Sequence, residues 1–355
     1  MAKRAVISIL IISLLLLAVP SAIIFHIDPF FHYHAPLDGY YYSRNENIER
    51  YTNDGVARHF EFDSLITGIS ISAGFSISEF NSLFDTDAEK IIYSGGTYKE
   101  TGEGISRALK TNPDMKVVLC SLFLDKLYQE KDHRRPDIAD IPTYLYNDLI
   151  FDDIKYLFNK DVLFNYCYPM ITGRYKDGAA GGVESLDTEG YIGRDEEISY
   201  FDPDKVFADR EPVNEEICQE PLSEEDAANV RANISQNVIQ AARQYPNTRF
   251  IYFVPPCSIL HYSDLYESGK LLKTLQAEEI AIDMLLDCDN IEVYSFNDRK
   301  DIIEDLKNYS DPIHYGGWIY SFILESIDKG EGRLTRDNAG EFLENEKEYL
   351  MGYDY

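Results

Sequence analysis

The stretch that decides the fold is Asp63-Ser64-Leu65-Ile66-Thr67-Gly68-Ile69-Ser70-Ile71-Ser72. Its short apolar run ends in a glycine and is followed by serines, a pattern that predicts a buried strand and a turn. A helical pattern follows from Phe75 to Phe84, and strand and helix continue to alternate along the chain. Repeated units of this length predict an α/β fold with a doubly wound parallel sheet, covered on both faces.

Four further strands are predicted from similar apolar runs, at Lys90–Tyr93, Met115–Cys120, Arg249–Val254 and Ile291–Tyr294. Helices are predicted between them at 100–110, at 223–245 with Ser223 as the N-cap, and at 271–286. Cys120 and Cys257 lie in or beside strands, and we expect both to be small core residues.

The N-terminus has the pattern of a membrane anchor. Residues 1–4 contain two cations, and the 21 residues from Ala5 to Phe25 hold no charged side chain. As a helix, this segment rises about 31 Å, close to one hydrocarbon thickness. We therefore predict a single transmembrane helix with its domain on the extracytoplasmic side of the cell membrane. A cleaved signal peptide is the alternative, although the run is long for one and lacks a clean A-x-A site.

The predicted organisation has five parts: a cytoplasmic N-terminus at 1–4, the anchor at 5–25, a juxtamembrane segment at 26–60, the α/β domain at 61–335, and a C-terminal helix or tail at 336–355. Residues 129–221 interrupt the domain with Asp-, Tyr- and Gly-rich pieces. A connection of this length is usually functional or disordered. We interpret it as an inserted cap over the strand ends, with a passive surface elaboration as the alternative.

Composition excludes some partners and cofactors. The net charge of −29 argues against nucleic acid and against direct adhesion to anionic lipid, because both are polyanionic. The five cysteines are widely spaced and odd in number, so we expect no disulfide framework. No cysteine–histidine cluster has zinc-ligand spacing, and we expect neither a metal nor another cofactor.

Polar motifs follow the predicted strands at the sheet edge where ligands bind. In chain order they are Ser70 with its rival Ser72, then Gly95 and Gly96, and finally Asp311-Pro312-Ile313-His314. A serine becomes an effective nucleophile when a base removes its proton and a carboxylate stabilises that base, so Asp311 and His314 can activate Ser70. A glycine N–H can stabilise a developing oxyanion. Taken singly, Ser70 would be interpreted as an ordinary turn residue and His314 as an ordinary surface residue.

In this order, the motifs resemble the SGNH, or GDSL-like, hydrolase superfamily. The resemblance rests on the stretches Thr67–Ser70, Tyr93–Glu100, Phe253–Leu260, Phe296–Asp298 and Tyr309–Tyr315. The resemblance is closest to the bacterial envelope branch that includes the lipoteichoic acid D-alanyl transfer protein and the SGNH partners of membrane-bound O-acyltransferases. It implies a flavodoxin-like sheet, a Ser70–His314–Asp311 triad, and oxyanion donors at Ser70 and at Gly95 or Gly96.

Two positions depart from the superfamily's pattern. Gly68-Ile69-Ser70 stands where the superfamily has G-D-S, and its oxyanion asparagine after the third strand has no counterpart in 121–125. Loss of one oxyanion donor costs a factor of about 10² to 10³ in rate. Asp125 lies nearest to the missing position, where it would orient His314 or a substrate hydroxyl.

Two functions from different classes follow from the resemblance. The first is acyl transfer or acyl-ester hydrolysis on an envelope glycan through an acyl-Ser70 intermediate, alongside a membrane-bound O-acyltransferase. The second is a catalytically inactive envelope protein that binds glycan or acts as a scaffold. The complete set of Ser70, Asp311 and His314 favours the first.

Overall fold

The computed structural model describes residues 2–45, 47–135, 142–174, 181–184, 186–187, 201–207, 210, 213 and 217–355, without the side chains of residues 2, 10, 13, 14 and 205. These residues form two compact units. The smaller unit comprises 1–60 and 137–185, and the larger comprises 61–136 and 186–355. The remainder of the predicted insertion at 129–221 lies outside the described residues, so its role as a cap stays a prediction.

Helices and strands alternate along most of the chain. In chain order, the helices are α1 (Ala2–Ile27), α2 (Glu49–His59), α3 (Ile77–Phe84), α4 (Tyr98–Thr111), α5 (Ile154–Leu157), α6 (Tyr168–Thr172), α7 (Pro203–Val206), α8 (Glu224–Ile234), α9 (Gln240–Gln244), α10 (Ile259–Glu267), α11 (Leu271–Leu285), α12 (Lys300–Ile303), α13 (Gly317–Lys329) and α14 (Ala339–Met351). The strands are β1 (Tyr41–Tyr42), β2 (Ser64–Gly68), β3 (Ala88–Ile92), β4 (Val117–Ser121), β5 (Gly182–Val183), β6 (Arg249–Val254), β7 (Ile291–Ser295) and β8 (Arg333–Leu334).

The larger unit is built on a six-stranded sheet in the order β3-β2-β4-β6-β7-β8. The first five strands are parallel, and β8 pairs antiparallel with β7. The α/β prediction is therefore confirmed, and all five predicted strands are present. The prediction of a purely parallel sheet is wrong, because the chain returns after α13 and adds a short antiparallel edge strand.

Side chains of the central strands alternate between the two faces of this sheet, as the pleat requires. Leu119, Ile251 and Phe253 belong to the main apolar cluster together with residues of α3 and α13. Val118 and Phe250, one position away, are fully buried outside that cluster. Both faces are thus covered, which explains why the strands read as continuous apolar runs. Cys120 and Cys257 are buried, as predicted.

The smaller unit is held together around a buried carboxylate. Asp28 accepts hydrogen bonds from the backbone N–H groups of His32 (3.0 Å), Tyr33 (2.6 Å) and His34 (3.1 Å), and from the Tyr156 hydroxyl (2.8 Å). Because Tyr156 belongs to the predicted insertion, these bonds join two segments far apart in sequence. The predicted juxtamembrane segment therefore folds with part of the insertion, a pairing that neither segment's pattern indicates.

The helix predicted at residues 5–25 is present as α1, which extends to Ile27. Ile24 and Ile27 are buried, whereas the apolar side chains nearer to its N-terminus are mostly exposed. Within the part of the chain that the structure describes, no helix has the length and apolarity needed to cross a membrane. The predicted transmembrane character of this helix is therefore not shown.

Candidate active site

The candidate nucleophile lies at the carboxyl end of β2, on a single 3₁₀ turn that spans Ser70–Ser72. Gly68, the last residue of the strand, has φ +129°, a conformation that side chains disfavour. A Cβ atom at Gly68 would also collide with the hydroxyls of Ser72 and Ser121. Glycine is therefore required where the chain turns sharply out of the sheet and presents Ser70.

Ser70, His314 and Asp311 form one connected set of hydrogen bonds. The Ser70 Oγ lies 2.9 Å from His314 Nε2, and His314 Nδ1 lies 2.6 Å from Asp311 Oδ2. The other carboxylate oxygen of Asp311 accepts the backbone N–H groups of Ile313 and His314, both at 2.9 Å. The structure thus brings together the three residues that the sequence predicted to converge.

The charge state of Asp311 suits a partner for imidazolium. Burial by itself would raise the pKa of this carboxyl group. The hydrogen bond and charge of His314, with the two backbone N–H groups, outweigh burial and hold the pKa of Asp311 below its usual value. Asp311 is therefore ionised at neutral pH, accepts the Nδ1 proton, and leaves Nε2 to accept the Ser70 proton.

The loop that carries Asp311 and His314 is anchored from both sides. At its base, Tyr309 and Tyr315 form an antiparallel bridge. At its tip, the Pro312 carbonyl accepts the backbone N–H of Ser258 (3.0 Å) and the Ser258 hydroxyl (2.8 Å). Sequence reasoning missed this role of Ser258, although the residue lies in the Phe253–Leu260 stretch that resembles the superfamily.

Ser72 does not compete with Ser70 for the histidine. Its hydroxyl is fully buried and donates to the Ser121 hydroxyl at 3.0 Å, which joins the turn after β2 to the end of β4. The structure therefore assigns Ser72 a bracing contact in place of the accessory role that the sequence left open.

The two candidate oxyanion glycines differ in their backbone N–H groups. The Gly96 N–H donates to the Tyr93 carbonyl at 2.6 Å, so it is not available to a substrate, and its predicted role is wrong. Within the described residues, the N–H groups of Gly95 and Ser70 donate to no acceptor. Lys126 fixes the glycine loop, because its ammonium donates to the carbonyls of Gly95 and Gly96, both at 2.6 Å.

Asp125 does not contact the triad. Its Oδ1 lies 3.3 Å from His261 Nε2, on α10. The prediction that Asp125 orients His314 is therefore wrong: His314 already has Asp311 on Nδ1 and Ser70 on Nε2, so neither ring nitrogen is left for a second carboxylate.

The arrangement can transfer a proton from a hydroxyl to an imidazole and stabilise the resulting charge, which is the chemistry of acyl transfer through serine. Within the described ranges, no group of three or more histidine, cysteine or acidic side chains could hold a metal ion. No protein-family model, curated protein or solved structure matches this chain significantly.

Proposed function

We propose that this chain transfers an acyl group, or hydrolyses an acyl ester, on a cell-envelope glycan through an acyl-Ser70 intermediate. The observation that carries the proposal is the 2.9 Å contact between Ser70 Oγ and His314 Nε2, with Asp311 behind the ring. A serine and a histidine that were merely surface residues would not be expected to align with each other and with a carboxylate. The same arrangement recurs on unrelated folds wherever serine is the nucleophile.

The proposed reaction begins when His314 Nε2 takes the Ser70 proton while Oγ attacks the acyl carbonyl. The N–H groups of Ser70 and Gly95 stabilise the oxyanion. His314 then returns the proton to the leaving oxygen, and the carbonyl re-forms as an ester on Ser70. A glycan hydroxyl or water next attacks this ester, with His314 again as the base, and Ser70 is regenerated.

The fold supports an SGNH-like assignment. Counted in chain order, the five parallel strands of the larger unit are arranged 2-1-3-4-5, as in flavodoxin-like sheets. In such sheets, ligands bind at the switch point beside the first strand, and Ser70 follows that strand in this chain. We propose an SGNH-like domain on this basis.

We also propose that the chain works at the extracytoplasmic face of the membrane, held by the apolar N-terminal segment, with a membrane-bound O-acyltransferase as its acyl donor. Tethering two proteins to one surface raises their effective concentration. With its acyl donor held close, a triad with only two oxyanion donors can support the reaction at a lower intrinsic rate than a free esterase requires.

A non-catalytic glycan-binding or scaffold protein is the second candidate. The observation that favours it is the absence of an asparagine at 121–125, where the superfamily has its oxyanion asparagine.

The decisive experiment is covalent trapping of the serine with a fluorophosphonate probe. We expect the probe to label Ser70 in the purified chain, and Ser70→Ala to abolish labelling without loss of folding. Ser72→Ala is the matched control, because it removes a nearby hydroxyl that does not contact His314. If Ser70 stays unlabelled, and cells with Ser70→Ala acylate their envelope glycan normally, the scaffold function takes the place of catalysis.

A further inference from the structure

Trp318 is the one tryptophan of the chain and lies four residues after His314. Among the described residues of the larger unit, it is the only large apolar side chain that stands exposed, with 44 % of its surface open. Four residues span at most about 14 Å, so the indole lies close to the triad loop. An exposed aromatic side chain at this place calls for an explanation.

The indole is held rigidly at this place. Its Nε1–H donates to Asn308 Oδ1 at 3.0 Å, and the Asn308 amide nitrogen donates to the Ile302 carbonyl at 3.0 Å. A side chain at Gly316 would collide with the six-membered ring, so the ring packs directly on the Gly316 backbone. Phe201 meets the indole at a steep angle, with ring centroids 5.0 Å apart.

We propose that Trp318 is a stacking platform for a sugar ring of the acceptor glycan, an inference that rests on the proposed function. The indole N–H is already bonded, so the ring offers its apolar surface. A pyranose combines an apolar C–H face with a rim of hydroxyls, and it matches an aromatic surface beside polar groups. Lys307, Ser310 and Asp311 are polar residues of the adjoining loop.

By itself, the exposed indole is too small for a stable protein interface. A stable protein interface buries about 800 Å² on each side, whereas a whole aromatic side chain offers about 150–250 Å². An acyl chain is a poorer match, because apolar ligands bind in clefts lined mainly by apolar side chains. Trp318 is a single aromatic side chain with polar loop residues near it in sequence. One sugar ring is the ligand of matching size and polarity.

The test is binding of an N-acetylglucosamine tetrasaccharide to the full chain carrying Ser70→Ala, which cannot turn over an ester. Because Trp318 is the only tryptophan, we expect the sugar to change its fluorescence directly. By calorimetry, Trp318→Ala should weaken binding about tenfold or more, and Trp318→Phe should restore most of it. Gly316→Ala, which displaces the indole but keeps tryptophan, should also weaken binding.

Phe164→Ala is the matched control, because Phe164 is an exposed aromatic residue of the smaller unit and 63 % of its surface is open. We expect its binding to equal that of the parent. Unchanged tryptophan emission with the sugar, or equal affinities of Trp318→Ala and its parent, would overturn the platform. Failure of the proposed catalytic function would be seen separately, because the fluorophosphonate probe would then not label Ser70 in the wild-type chain.

Discussion

At the scale of single residues, Asp311 determines how His314 works. Its carboxylate contacts Nδ1 at 2.6 Å, so that Nε2 is the ring nitrogen that faces Ser70. Asp311→Asn keeps the size and an oxygen for the backbone N–H groups, but its amide donates toward Nδ1 and favours the wrong tautomer. We expect acylation of Ser70 by a small aryl ester to slow about 10³- to 10⁴-fold.

Stopped-flow measurement of acyl-Ser70 formation checks this expectation. Asp305→Asn is the control, because Asp305 lies near in sequence and, among the described residues, its carboxylate accepts only the backbone N–H of Lys307. A rate for Asp311→Asn within threefold of the wild type would show that Asp311 has no part in orienting the histidine.

At the scale of elements, α11 and α14 bring two carboxyl groups into the core. Neither carboxylate oxygen of Glu278 has a hydrogen-bond partner among the described residues, and Glu346 accepts one from Asn297 at 2.6 Å. Burial raises the pKa of Glu346 to about 7. Burial, followed by the charge of Glu346, raises the pKa of Glu278 well above its usual value.

These shifts predict that stability falls as pH rises. In the unfolded chain, both carboxyl groups lose their protons at about pH 4.3. In the folded chain, Glu346 keeps its proton up to about pH 7. In that interval the folded state binds more protons, so each pH unit lowers the free energy of unfolding by about 1.4 kcal/mol per group. For Glu346, the contribution is complete below the unfolded pKa and is lost as the pH rises through the folded pKa of about 7.

Glu278→Gln replaces one buried titratable carboxyl group with an amide of nearly the same size. We expect it to raise the free energy of unfolding at pH 8 by roughly 1–3 kcal/mol and to flatten the slope between pH 5 and pH 8. Urea unfolding at several pH values, followed by Trp318 fluorescence, measures both. Glu279→Gln, at the exposed neighbouring position of α11, should retain the wild-type slope. An unaltered slope in Glu278→Gln would contradict the prediction.

At the scale of the whole molecule, the proposed membrane anchoring depends on the first helix. Among the described side chains of this helix, the large apolar ones that are exposed are Val6, Ile7, Ile9, Ile11, Ile12, Leu15, Leu16, Leu17, Val19 and Phe25, whereas Ile24 and Ile27 are buried. Replacing residues 1–22 with a cleavable signal peptide should release the folded chain from the membrane fraction, because it removes apolar surface but keeps the buried contacts. The Ser70→Ala chain should remain in that fraction.

Fractionation of cells after an alkaline carbonate wash provides the measurement. Protease added to intact cells should also digest the domain, as expected for the extracytoplasmic side. A full-length chain that washes off, or that is protected from protease, would contradict the membrane anchor.

Local patterns in the sequence determined the strands of the larger unit and the order of its site residues. A strand buried on both faces is mostly apolar along its length, so β2, β3, β4, β6 and β7 could be predicted from short apolar runs in the sequence. Because the carboxyl ends of parallel strands meet at one edge, the positions of Ser70, Asp311 and His314 after strands were enough to predict that they converge.

Tertiary structure alone decided how these groups are paired. Ser70 and Ser72 both follow β2, and packing shows that Ser70 contacts a histidine 244 residues away while Ser72 contacts Ser121. The loss of the Gly96 N–H to a turn and the joining of Asp28 to Tyr156 are likewise contacts of the folded chain. The physical reason is that periodicity records which face of an element is buried, whereas hydrogen-bond partners depend on positions that exist only after distant segments have packed.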